Sequence, residues 1–222
     1  MVLSGAGISQ QSGLQTFRDS GGLWENFRIE EIATSEAFAS HPQRVLDFYN
    51  LRRSQLRGAV PNRAHEILSE LESSFEVQII TQNVDDLHER AGSTRVLHLH
   101  GELLKVRSVD NTQKLYPWKG DLNLGDLDEK GSQLRPHIVW FGEEVPAMQE
   151  AILRTKDADI CLIIGTSLQV YPAAGLIQEL KAATPLYRID PRSKDLIGRS
   201  HIHIQKDAIE GMIHFQDLLS KI

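Results

Sequence analysis

Three short blocks carry the residue types from which chemistry is made. Val2-Leu3-Ser4-Gly5-Ala6-Gly7-Ile8-Ser9 runs from a short apolar strand into a turn of small residues. Such a turn, when a helix follows it, lets backbone N–H groups approach a pyrophosphate while the helix N-terminus adds favourable partial charge. It reads as a dinucleotide site. Further on come Thr81-Gln82-Asn83-Val84-Asp85 and His98-Leu99-His100-Gly101. Asn83 and Asp85 follow the apolar run Val77–Ile80, and both types favour turns through local hydrogen bonds, so a plain loop is one reading. His100 stands at the end of the run Val96–Leu99. A strand there delivers it to the carboxyl edge of a sheet, where open α/β folds bind ligands, and imidazole titrates near neutrality.

The dehydrogenase fingerprint asks for a third glycine at position 10 and an acidic residue at the end of a second strand about twenty residues on. Gln10 occupies the first place, and no second strand follows. Ser12 to Trp24 instead carries three glycines and no apolar period, which reads as a loop. Taken together, Gly5-Ala6-Gly7-Ile8-Ser9, Thr16-Phe17-Arg18, Thr81-Gln82-Asn83-Val84-Asp85 and His100-Gly101 resemble the sirtuin family of NAD-dependent protein-lysine deacylases, from residue 2 to about residue 190. That resemblance implies NAD as co-substrate, acylated lysine side chains of proteins as substrate, and nicotinamide and O-acyl-ADP-ribose as products.

The resemblance also distributes roles. His100 matches the family's base, which overrides the ordinary reading of a strand-end histidine as a satisfied polar residue. His65, His88, His137, His201 and His203 lack such support and read as structural or surface residues. Asp85 would hold the nicotinamide carboxamide with help from the backbone at Val84. Asn83 would order the ribose and a water, and Gln82 would contact the ribose. Gly5, Ala6, Gly7 and Ile8 form the phosphate turn. Arg18 would lie over the phosphates or ribose and Phe17 would shield the reacting centre from water, with Trp24 in the same cofactor loop. Gly165, Thr166 and Ser167 would face the adenosine side. Arg188 stands where the family commonly has Asn, which weakens the adenosine-side match.

Composition bounds the alternatives. The 222 residues suffice for one large domain or a domain with an inserted module. Hydrophobic content of 41% and charged content of 24% are those of an ordered globular protein. A net charge of −6 with scattered cations offers no footprint for nucleic acid. No apolar run approaches eighteen residues and no signal peptide is evident, so neither a membrane partner nor export is expected, and the location expected is cytoplasmic. The single cysteine, Cys161, lies in an apolar run and reads as a core residue.

The elements that must position these residues alternate. Apolar runs at 77–80, 96–99, 138–141, 160–164, 185–190 and 201–204 read as strands. Amphipathic helices are expected over 62–72, 146–156, 172–183 and 207–219. The fold class is therefore α/β, a Rossmann-like parallel sheet with helices on both faces. Residues 29–60 read as helical, with Ser40-His41-Pro42 as a start and Gly58 as a stop. Residues 102–137 read as short β pieces around 103–109 and 114–118 followed by a polar loop. These two stretches would form a small inserted domain, leaving 1–28, 61–101 and 138–222 as the NAD-binding domain.

Tyr49 and Arg52, three apart, share a helix face. In the sirtuin branch that removes acidic acyl groups, a Tyr-x-x-Arg pair grips the distal carboxylate of succinyl- or malonyl-lysine, and a small alanine, here Ala33, widens the pocket. The plainer reading is a buried tyrosine beside a solvated basic face. The peptide would add as a strand between the segments 139–143 and 168–172, with Val139, Phe141, Gly142 and Val170 touching it. Most sirtuins hold the small domain with four cysteines. Residues 106–135 contain none, and Ser108 stands where the first thiolate belongs. No zinc is expected. Competing functions are NAD hydrolysis or ADP-ribosyl transfer, a non-catalytic NAD-sensing module, and more distantly a dehydrogenase.

Overall fold

A computed structural model describes residues 1–16, 27–192 and 199–221. Six strands form one wholly parallel sheet: β1 (Val2–Ser4), β2 (Ile79–Thr81), β3 (Val96–His98), β7 (Cys161–Ile164), β8 (Leu186–Ile189) and β9 (Ile202–Ile204). Their order is β3-β2-β1-β7-β8-β9. Parallel strands need crossovers that cover both faces, so the central strands β1, β2, β7 and β8 are buried along their whole length rather than alternately. All four residues of β7 are buried, Cys161 among them, and burial pushes its thiol up to about 12. The helices Arg63–Glu70 and Ala208–Leu219 pack one face through Ile67, Leu68, Met212 and Phe215. Met148–Lys156 and the turn Ala173–Glu179 cover the other through Ala151 and Leu176.

A second sheet, antiparallel and three-stranded, contains β4 (Gly101–Ser108), β5 (Leu115–Pro117) and β6 (Leu134–Ile138) in the order β5-β4-β6. It shares a hydrophobic core with the helices Ile29–Ile32, Ser35–Ser40 and Pro42–Gly58, built on Val45, Leu46, Phe48, Leu103, Val106 and Trp140. Pro42 opens the long helix at a position that needs no N–H. Asn50 and Arg53 then tie that helix to the β structure. The Asn50 amide donates to the Leu122 carbonyl and accepts from the Leu122 N–H. Arg53, fully buried, donates to the Leu103 carbonyl at 3.0 Å and to Asn50 at 2.7 Å.

Two expectations and one alternative reading need correction. The run 138–141 is not a strand of the parallel sheet. Ile138 ends β6, and the next residues continue as a connecting segment whose N–H groups bond to His100 and Ala33. The stretch 172–183 forms a 3₁₀ helix over Ala173–Glu179 only. The basic pair at 52–53 is not a solvated face, because Arg52 and Arg53 are both buried.

Candidate functional site

β1 and β7 lie side by side while the chain builds outward from them in opposite directions, and the crevice at such a switch point is where open α/β sheets take ligands. A cavity of about 680 Å³ opens there. Gly5, Ala6, Gly7, Gln82, Asn83, Val84, His100, Gly165, Thr166 and Ser167 line it from the parallel sheet. Ala33, Tyr49, Val139, Phe141 and Gly142 line it from the helical segment and the stretch after β6, and Val170 from the loop after β7. Sequence blocks far apart in the chain therefore share one wall.

The glycine turn differs from its expected form. No α-helix follows it directly: the chain enters two three-residue 3₁₀ turns, Ala6–Ile8 and Gln10–Ser12, so among the described residues no α-helix N-terminus stands at the turn. The Gly5 N–H donates to Ile164 at 3.0 Å and the Gly7 N–H to Gly165 at 2.8 Å. A Cβ on Gly5 would stand 2.7 Å from the Thr166 Cβ, and one on Gly7 2.8 Å from the Gly165 Cα. The small residues thus let the turns after β1 and β7 pack against each other. Side chains supply donors beside them: the Gln82 amide donates to the Thr166 hydroxyl at 3.0 Å.

Not every expected residue reaches the wall. Ile8 is fully buried in the core. Arg188 is buried in β8 and pairs with Asp190 at 3.3 Å, and it is Asp190 that lines the cavity. Arg52 is buried one helical turn from Tyr49, outside the lining residues. Phe17, Arg18 and Trp24 lie outside the described residues. Asp85 sits beneath the wall: it accepts from the Ser9 hydroxyl at 3.1 Å and from the Leu87 N–H at 3.2 Å. Burial raises its pKa, against the pull of those two bonds and of His98 and Arg52.

Ser9, unassigned in the sequence, joins Asp85 to Asn83, whose amide donates to the same hydroxyl at 3.2 Å. His65 approaches that hydroxyl at 3.5 Å, and its other nitrogen accepts from the Asn62 N–H, capping the helix Arg63–Glu70. Burial holds the His65 pKa down to about 4, so the ring is neutral. His88 packs edge-on against it with ring centres 5.0 Å apart and bonds the Ser4 hydroxyl at 2.9 Å. Both rings are thus buried and bonded to protein partners.

His98 and His100, two residues apart, have opposite electrostatics. The His100 Nδ1–H donates to the Gln82 carbonyl at 3.1 Å, leaving Nε2 as the acceptor nitrogen, and burial lowers its pKa. The ring is therefore neutral at pH 7 and equipped to take a proton. His98 is also buried, which works against its charged form. The 2.7 Å bond to Glu89, that residue's charge and the Asn83 carbonyl outweigh burial and raise its pKa.

The opposite wall rests on Glu143. Its carboxylate accepts from Arg135 at 2.6 Å, Arg107 at 3.2 Å, the Trp140 N–H at 2.9 Å and the Ser35 hydroxyl at 2.9 Å. The Val139 N–H donates to His100 and the Phe141 N–H to Ala33. The N–H groups of residues 139 to 141 are thus already bonded, and an added strand would find acceptors there rather than donors.

A profile of the Sir2 family matches residues 5–172. The chain belongs to the Sir2 family. Among Sir2 relatives, the NAD-dependent protein deacylase of Helicobacter pylori strain J99 is 53% identical over 223 residues, covering 100% of this chain and 94% of the relative. A protein of the same name from Bacteroides thetaiotaomicron is 48% identical over 226 residues, covering 99% and 97%. A Sir2 homologue solved as its NAD complex superposes with a TM-score of 0.89 at 38% identity, covering 99% of this chain and 88% of that one. A Sir2 homologue mutant bound to ADP-ribose gives 0.90 at 37% identity, covering 99% and 92%. The lining fits such a ligand, because the Thr166 and Ser167 hydroxyls can donate to its oxygens and the Asp190 carboxylate can accept from its hydroxyls, and all three residues line one cavity. Among the described residues, no group of three or more His, Cys, Asp or Glu is arranged to hold a metal ion. No helix among them is long and apolar enough to cross a membrane.

Proposed function

We propose that this chain, an NAD-dependent protein deacylase, removes acidic acyl groups, succinyl and malonyl, from lysine side chains as well as acetyl. NAD is consumed in the reaction, and the acyl group leaves lysine for its ribose. His100 acts as the base: its Nδ1–H is committed to Gln82, so Nε2 accepts the proton of a ribose hydroxyl. Asn83 and Asp85, joined through Ser9, form the floor on which the nicotinamide end is oriented. Phe141, Gly142 and Val170 at the cavity mouth support an acylated peptide as the second substrate.

The observation that carries the acyl preference is the pairing of Tyr49 with Arg52. Both are buried on one face of the helix Pro42–Gly58, and Tyr49 lines the cavity together with Ala33. Arg52 lies close enough for its charge to act on Tyr49 and Asp85. A guanidinium offers a planar fork that matches a carboxylate. Ala33 leaves room for a chain longer than acetyl.

The test is mass spectrometry of the protein with NAD and one peptide in acetyl, succinyl and malonyl forms, with a no-peptide control. Transfer of the acidic groups to ADP-ribose is expected. Nicotinamide release independent of peptide would replace this reading with NAD hydrolysis.

A further inference from the structure

We propose that Trp140 sets selectivity for acidic acyl groups by holding the Tyr49 hydroxyl as a hydrogen-bond donor toward the cavity. This inference rests on the acyl-preference reading above and extends it to a residue outside the Tyr-x-x-Arg pair. The Trp140 indole Nε1–H lies 3.0 Å from the Tyr49 oxygen. An indole nitrogen only donates, so the tyrosine oxygen must accept. A phenol carries a single proton, and no protein acceptor for that proton occurs among the described residues. It is left for whatever fills the cavity that Tyr49 and Trp140 both line.

The ligand chemistry follows from that polarity. A carboxylate only accepts, whereas the methyl of an acetyl group neither donates nor accepts. A tyrosine held as donor therefore rewards an acidic acyl group and is indifferent to acetyl. Were the indole absent, the hydroxyl would be free to rotate, and part of its donor strength would be lost to other orientations. Burial pushes the Tyr49 pKa up to about 12, so the proton is present throughout the working range.

Trp140 is itself fixed from three sides. Its backbone N–H donates to Glu143 at 2.9 Å, and the Arg135 guanidinium lies 3.4 Å above its ring. Phe38 packs against it with ring centres 5.3 Å apart. Arg135 is held in turn by Glu143 and by the Ile138 carbonyl at 3.0 Å. A cation on the indole face also draws electron density from the ring, which strengthens the N–H as a donor. Trp140 is thus a positioning residue acting through Tyr49.

The test measures kcat/KM for one peptide in succinyl and acetyl forms, with NAD, on the full chain and on Trp140→Phe, Tyr49→Phe and the double variant. The succinyl-to-acetyl ratio is expected to fall about three- to tenfold in Trp140→Phe, the worth of one hydrogen bond. The double variant should show the same ratio as Tyr49→Phe alone, because the effect passes through that hydroxyl. A merely structural role would lower both substrates in proportion and leave the ratio unmoved. That outcome, or a further fall in the double variant, overturns the inference. If the native chain removes no succinyl group, the acyl-preference reading falls and takes this one with it. If it does and the Trp140→Phe ratio is unchanged, only this inference falls. Should Trp140→Phe fail to fold, the indole proton of Trp140 is followed by NMR in Tyr49→Phe. A shift of that resonance is expected, and its absence overturns the proposal.

Discussion

The carbonyl of Gln82 accepts from Nδ1 of His100 at 3.1 Å, and that bond decides which nitrogen of the ring can act as a base. Two loops at the ends of β2 and β3 make it, so the tautomer is a property of the sheet register. Because burial holds the His100 pKa below its ordinary value, the base stays unprotonated through neutrality. The rate with saturating substrates should rise through a single limb below pH 6.5 and then level off. His100→Tyr should abolish acyl transfer at every pH. A pH–rate profile with its inflection above neutrality would contradict this assignment.

Arg52→Met should lower desuccinylation about 10- to 150-fold, the worth of a charge-assisted bond of roughly 1.5–3 kcal/mol. Deacetylation should fall far less. Parallel steady-state assays on acetyl and succinyl peptides check it, and equal losses would remove Arg52 from the acyl pocket.

Acid should destabilise the fold before its carboxylates titrate. Burial lowers His65 and His137 to about 4 and His88 well below its usual value. The unfolded chain binds protons at these sites first, so stability is full above about pH 6.5 and is lost as pH falls toward 4. His98 works in the opposite sense: its pKa is raised, so its contribution is present at low pH and is lost as pH rises through the folded value. His65, fully buried, alone accounts for about 3 kcal/mol. Urea titrations at pH 7, 6 and 5 should show a falling midpoint, and His65→Gln should flatten that dependence.

Glu143→Gln should lower the thermal midpoint by about 4–8 °C. Arg107 and Arg135 both lean on this carboxylate, and removing its charge leaves two nearly buried guanidinium groups facing each other, at a cost of about 2 kcal/mol. Scanning calorimetry measures it. An unchanged midpoint would show that the cluster adds nothing to the small sheet.

We expect no stoichiometric zinc in the purified protein. Residues 106–135 offer no thiolate, and Leu103, Val106, Leu122 and Leu134 are buried in the core that joins the small sheet to its helices. Elemental analysis decides the point, and one zinc per chain would refute it.

Some of this protein was legible from local order along the chain. Apolar runs of three to five residues between amphipathic segments read as parallel strands with covered faces, and the parallel sheet contains those expected except the run 138–141. Family motifs placed His100, Asn83 and the two glycine turns at strand ends, and a strand end in a doubly wound sheet is the edge of the ligand crevice. Gly101 was legible in the same way: its φ is +83°, and it pairs with Ile138 where a Cβ would collide with the His137 carbonyl.

What only tertiary structure decided is set by contacts between distant segments. Trp140 reaches Tyr49 across 91 residues, and Ser9 reaches Asp85 across 76. Neither spacing leaves a period in the sequence. The two arginines at 52 and 53 look alike in sequence, yet the packing of one helix against β4 sends Arg53 to the Leu103 carbonyl and leaves Arg52 beside Tyr49. The segment 138–141 is apolar enough for a strand, but its N–H groups are claimed by His100 and Ala33, so it ends as the rim of the cavity. Local order fixes which residues form elements, because backbone periodicity is a property of neighbours. Which hydroxyl donates and which histidine stays neutral is fixed by burial and by partners that the chain meets only once it has folded.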